Sequence, residues 1–127
     1  MPYVMPLLLG FFDRAAAERG KVELRHTLDM ELAHRLVTAA AERWEGGVAY
    51  IGRDRFALCD GYLKCCDRPH RAGADFIIRF ARQTGCEIYH YAVPFVYDVD
   101  SFAAYFEQSE QMRQERLRRS RAERGLS

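Results

Sequence analysis

Lysine is scarce in this chain: only Lys21 and Lys64 stand among its 19 basic residues. The positive charge is therefore almost all guanidinium, planar and suited to bidentate contacts with phosphate or carboxylate. A GC-rich coding genome would produce the same bias across the body without selection for such contacts. Proline is also sparse, at four residues, and charged residues make up 29% of the chain, a composition that argues against disorder. The apolar run from Tyr3 to Phe12, followed by Ala15-Ala16-Ala17, loosely mimics a secretory leader. No basic residue precedes it, Pro6 interrupts it, and it is too short to span a bilayer. A cytoplasmic location without membrane attachment is the expectation. Phosphate-binding glycine loops are missing, because Gly46-Gly47 lacks a following Lys-Ser/Thr. There is no internal repeat. Four cysteines without a credible leader read as reduced thiols packed as small hydrophobes.

What is present is one domain's worth of chain: 127 residues, 49% of them hydrophobic, enough for a core without metal or disulfide. Its charge is unevenly divided. Between Met112 and Arg124 lie Arg113, Arg116, Arg118, Arg119, Arg121 and Arg124, against Glu115 and Glu123 alone. The local balance is +4, which leaves −3 on the remainder of a chain of formal net charge +1. An acidic body with a basic end suggests a charged partner. The expected division is a single α+β domain over 1–111 and a basic helical extension over 112–127.

Periodicity predicts a helix from Pro6 to Arg19, with Pro6 at its first position and Gly20 past its end. Lys21 to His26 alternates as a short strand. A second helix is expected from Thr27 or Asp29 to Trp44, with Leu28, Leu32, Leu36, Ala40 and Trp44 inward and Gly46-Gly47 as terminator. Val48–Ile51, Arg55–Cys59 and Tyr62–Cys66 read as a meander. The loop Asp60-Gly61 sets Leu58 opposite Leu63, Ala57 opposite Lys64 and Phe56 opposite Cys65. A third helix is predicted over Ala74–Thr84 with Phe76, Ile77, Phe80 and Ala81 inward, then a strand over Cys86–Val93 and an extended edge over Phe95–Tyr97. Asp98, Asp100 or Ser101 can cap a final helix whose inward stripe is Phe102, Tyr105, Phe106, Ser109 and Met112. The predicted fold is α+β: two layers, a largely antiparallel sheet with helices on one face. Between Lys21 and Val93 the order of elements matches a ferredoxin-like βαββαβ unit with an extra strand.

Three constellations could carry chemistry. Cys59, Cys65, Cys66 and His70 hold zinc-ligand types, but Cys65 and Cys66 are adjacent in a strand and point to opposite faces. His26 and His90 would meet if their strands were neighbours, and with Arg25 could cleave RNA by general acid–base chemistry. Asp98, Asp100, Glu107 and Glu110 could attract Mg²⁺, although capping explains the two aspartates. None forms a converging set, so no catalytic residue, metal or cofactor is assigned. The candidate binding residues are Arg113, Arg116, Arg118, Arg119, Arg121 and Arg124, with Tyr89, Tyr91 and Tyr97, since Tyr and Arg anchor interfaces. The expected function is non-catalytic: an inhibitor or adaptor bound to a larger bacterial machine, of the kind mobile elements encode. The alternative is a nucleic-acid-binding regulator using the arginines on phosphates, and after it a His-dependent nuclease. Homo-oligomeric state is left open.

Overall fold

A computed structural model describes residues 6–125. It is α+β: four helices and an antiparallel sheet of eight strands. The elements are β1 (Leu7–Phe12), α1 (Arg14–Glu18), β2 (Leu24–His26), α2 (Met30–Ala40), β3 (Arg43–Glu45), β4 (Val48–Ile51), β5 (Asp54–Leu58), β6 (Leu63–Cys65), α3 (Arg71–Thr84), β7 (Glu87–His90), β8 (Phe95–Tyr97) and α4 (Val99–Glu123). Strand order is β3-β4-β5-β6-β1-β7-β8, with β2 paired to the end of β1.

The single helix predicted from Pro6 to Arg19 is instead a strand, Leu7–Phe12, followed by a short helix, Arg14–Glu18. Leu7, Leu8, Leu9 and Phe12 are all buried because β1 lies at the centre of the sheet and is covered on both faces. A strand buried on both sides loses its alternation and reads like helix. Leu7 and Leu9 face the main core, with residues of α2, α3 and α4. Leu8 and Phe12 face a smaller core with Ala17, Tyr89 and Val96. Helices therefore do not all lie on one face: α1 covers the opposite side of β1, β7 and β8. Asp13 starts α1 by accepting a hydrogen bond from the Ala16 N–H at 2.8 Å.

The ferredoxin-like order expected between Lys21 and Val93 is not the order adopted. The strand at Leu24–His26 is not the neighbour of β7; β1 holds that place, pairing Leu7–Gly10 with Glu87–His90. The second helix also stops earlier than predicted. It is capped by Asp29, whose carboxylate accepts from the Leu32 N–H, and it ends at Ala40. Its fully buried residues are Ala33 and Val37, flanked by the partly buried Leu36 and Ala40. Trp44 belongs to β3, where it is exposed and stacks beside His34. Gly46-Gly47, expected to end a helix, is a two-residue hairpin loop between β3 and β4. Both glycines have positive φ, 57° and 80°, as a tight hairpin of this kind requires.

The meander follows its predicted register: Phe56 faces Cys65, Ala57 faces Lys64 and Leu58 faces Leu63. Phe56, Leu63 and Cys65 are buried beneath α3, whose buried residues include Phe76, Ile77, Phe80 and Ala81, as its periodicity predicts. Helix α3 starts at Arg71, ahead of the predicted Ala74, and Gly85 closes it with φ 76°. No helix among the described residues is long and apolar enough to cross a membrane.

Candidate functional site

The surface that departs most from an ordinary solvated exterior is built by β7, β8 and α4. Asp98 caps α4 by accepting from the Ser101 N–H at 2.7 Å, and these bonds hold its carboxyl below the usual carboxylate range. Phe102 and Phe106, one turn apart, anchor the helix in the core. Two ion pairs with α3 add to this hold: Arg82 to Asp100 at 3.4 Å, and Arg71 to Glu107. The Arg71 guanidinium also lies 5.0 Å from the Phe106 ring centroid. After Phe106 no residue of α4 is buried. The helix runs unbroken through the boundary expected at Gln111, to Glu123. About 25 Å of it follows Phe106 at 1.5 Å per residue.

Five of the six candidate arginines lie on this outer portion, and the sixth, Arg124, is its C-cap residue. Arg113 is 3.3 Å from Glu110, and Arg124 donates from Nε to the Ser120 carbonyl at 3.3 Å. Arg116, Arg118, Arg119 and Arg121 are exposed and make no ion pair among the described residues. Arg71, Glu107, Gln111, Gln114, Glu115 and Arg118 line an open groove of about 480 Å³ between α3 and outer α4. Its charges are of both signs.

The three candidate tyrosines separate. Tyr89 is a core residue, 1% exposed, on the α1 face of the sheet, so it lies off the surface it was expected to join. Its hydroxyl is buried without a hydrogen-bond partner, and burial pushes the phenol up. Tyr91 is exposed in the turn after β7 and meets Tyr89 edge-on. Tyr97 is half-buried in β8 and joins a cluster that sequence reasoning did not assemble. Its ring stacks on Tyr105 of α4 at 5.4 Å and meets Phe95 edge-on at 4.7 Å. His90 lies 5.8 Å from Tyr105 across the same cluster. Phe95 is 49% exposed and Tyr105 is 39% exposed, on a strand at the sheet's edge and a helix beside it. The period-two spacing of Phe95 and Tyr97 was a visible signal. Their meeting with Tyr105 depends on where α4 crosses the sheet.

His26 and His90 do not meet. His26 pairs with Phe11 and stacks on its ring, whereas His90 pairs with Leu7. These positions are roughly 13 Å apart along β1 at the usual rise per residue. Nor do the zinc-ligand types converge: the four thiols are free, and no group of three or more His, Cys, Asp or Glu among the described residues is placed to hold a metal. Burial pushes the Cys65 thiol well up, and that of Cys86 to about 11. The acidic residues have other partners. Asp98 caps α4, while Asp100, Glu107 and Glu110 pair with Arg82, Arg71 and Arg113.

A second feature was missed from sequence: it centres on Asp54, between the predicted strands Val48–Ile51 and Arg55–Cys59. Its carboxylate is 0% exposed. It accepts from the His70 backbone N–H at 2.8 Å and lies 2.9 Å from His70 Nδ1. Asp54 thus fixes, from β5, the N-cap residue of α3, whose own side chain makes no capping hydrogen bond to the helix. Gly73 permits the close approach, since a Cβ there would overlap the carboxylate. The half-exposed imidazole is oriented by this bond, an arrangement also found in general bases. No family model, curated protein or solved structure matches this chain.

Proposed function

We propose that this chain is a small non-catalytic binding protein that holds an acidic macromolecule along the outer half of α4. The observation that carries this reading is a helix that continues about 25 Å past its last buried side chain while presenting arginines. A helix that is polar all round gains nothing from packing on its own body, and needs a partner or side-chain pairs to hold it. Among the described residues Arg113 and Glu110 form the one ion pair within α4, at 3.3 Å, so local pairing supplies little of that hold. Docked on an acidic protein surface, the chain acts as an inhibitor or adaptor, the role expected from the sequence. Docked on nucleic acid, it acts as a regulator. The exposed rings of Phe95 and Tyr105, at the inner end of the same helix, favour this second reading.

Retention on immobilised heparin, a generic polyanion, tests the proposal. Full-length protein is expected to elute at markedly higher salt than protein ending at Gln111. Equal elution of the two in low salt sinks it. Affinity capture with the same pair then identifies which partners depend on the arginines.

A further inference from the structure

The aromatic cluster and two of the arginines lie along one strip. On α4, Tyr105, Met112, Arg116 and Arg119 are separated by 7, 4 and 3 residues, the spacing of a single helix face. Phe95 and Tyr97 extend that strip onto the edge strand β8 through the Tyr97–Tyr105 stack. Met112 is 56% exposed, so the strip stays open between rings and guanidinium groups. From Tyr105 to Arg119 it measures about 21 Å, the length of roughly six stacked nucleotides. Glu115 lies to one side of it, and Glu123, four residues past Arg119, continues the same face at its far end. Glu107 and Glu110 point to other sides of the helix, where Arg71 and Arg113 take them.

Resting on the reading of α4 as the binding element, we infer that this strip takes single-stranded nucleic acid, bases on the exposed Phe95 and Tyr105, which Tyr97 backs from between them, and phosphates on Arg116 and Arg119. The charge of the outer helix suits a polyanion. An acidic polypeptide would satisfy the arginines and has no regular need of the rings. A single strand presents both a phosphate and a flat base at every repeat. A duplex hides its base faces and would leave the rings unused.

The experiment is fluorescence anisotropy of full-length protein with a labelled 12-nucleotide single strand, the matching duplex and a poly-glutamate peptide, over a range of salt. Tighter binding to the single strand is expected. Tyr105→Ala should weaken it about tenfold, the order of one lost base stack, while Tyr105→Phe retains it. Arg116→Ala with Arg119→Ala should flatten the log–log salt dependence by about 1.4, two single-strand phosphates' worth. Circular dichroism checks that each variant is folded. Equal affinity for strand and duplex, tighter binding of poly-glutamate, or Tyr105→Phe behaving like Tyr105→Ala overturns the inference. Heparin retention lost at Gln111 would then still support the broader reading. If none of the three ligands binds and heparin is not retained, the broader reading itself fails.

Discussion

Replacing Asp54 by alanine tests how the fold starts α3. The carboxylate is fully buried and serves two donors of His70, the backbone N–H at 2.8 Å and the ring at 2.9 Å. Hydrogen bonds to a charged acceptor contribute about 1.5–3 kcal/mol each. A negative charge at a helix N-terminus adds up to about 2 kcal/mol in partly buried settings. Against this, the variant recovers much of the desolvation cost of a buried carboxylate, which is several kcal/mol. The half-exposed His70 ring can also rehydrate. The balance is a loss of about 3 kcal/mol, near 12 °C in Tm for a chain of this size. Asp54→Asn keeps the volume and one acceptor, and should lose about half as much. Urea unfolding followed by circular dichroism measures both variants. In a double-mutant cycle with His70→Ala the coupling should exceed about 1 kcal/mol, because the two residues share the interaction. An Asp54→Ala protein within about 0.5 kcal/mol of the parent would refute the capping argument, since that is the ordinary scatter of surface changes.

Other outcomes follow from the same geometry. Ending the chain at Gln111 should leave the Tm within about 2 °C of the parent, because no buried side chain of α4 lies beyond Phe106; a large drop would mean the outer helix packs on the body. Burial holds the His90 imidazole below its ordinary value of 6.5, so the unfolded chain binds that proton more readily. Its contribution to stability is complete above pH 6.5 and is lost as pH falls from there through the lower folded value, a slope that His90→Gln should flatten in urea titrations. Gly61 has φ +94° and sits against Leu24 Cδ1, so Gly61→Ala should cost about 1–3 kcal/mol by the same measurement. With a thiol reagent at pH 8, Cys59 and Cys66 should react well before Cys65 and Cys86, whose sulfurs are buried; equal rates for all four would contradict the packing.

How much was legible in the sequence varied with the range of the forces involved. The hairpin at Asp60-Gly61 could be read to the residue because turn chemistry and strand alternation are local, and the observed register pairs Phe56 with Cys65 as expected. The buried positions of α3, a cap drawn from Asp98, Asp100 and Ser101, and the arginine-rich end are local in the same sense; the structure selects Asp98. Gly46-Gly47 was read as a stop when it is a hairpin loop, since two glycines suit either role until a strand is known to follow on each side. The aromatic strip was half visible: Tyr97 reads as a binding residue, whereas Tyr105 and Met112, expected inward with Phe102 and Phe106, are 39% and 56% exposed, because the meeting of Tyr105 with Tyr97 depends on how α4 crosses β8.

By itself the sequence determined the composition of the two halves, an acidic body and a basic end, and those turns and caps whose partners lie within a few residues. Tertiary structure alone decided that Leu7–Phe12 is a central strand, because burial on both faces erases the pattern that separates strand from helix. It also decided that Asp54 holds the N-cap residue of a helix, 16 residues away, and that Tyr89 is inside while Tyr105 is out. Each of those outcomes depends on which segments the chain brings side by side, and that arrangement is a property of the whole sheet.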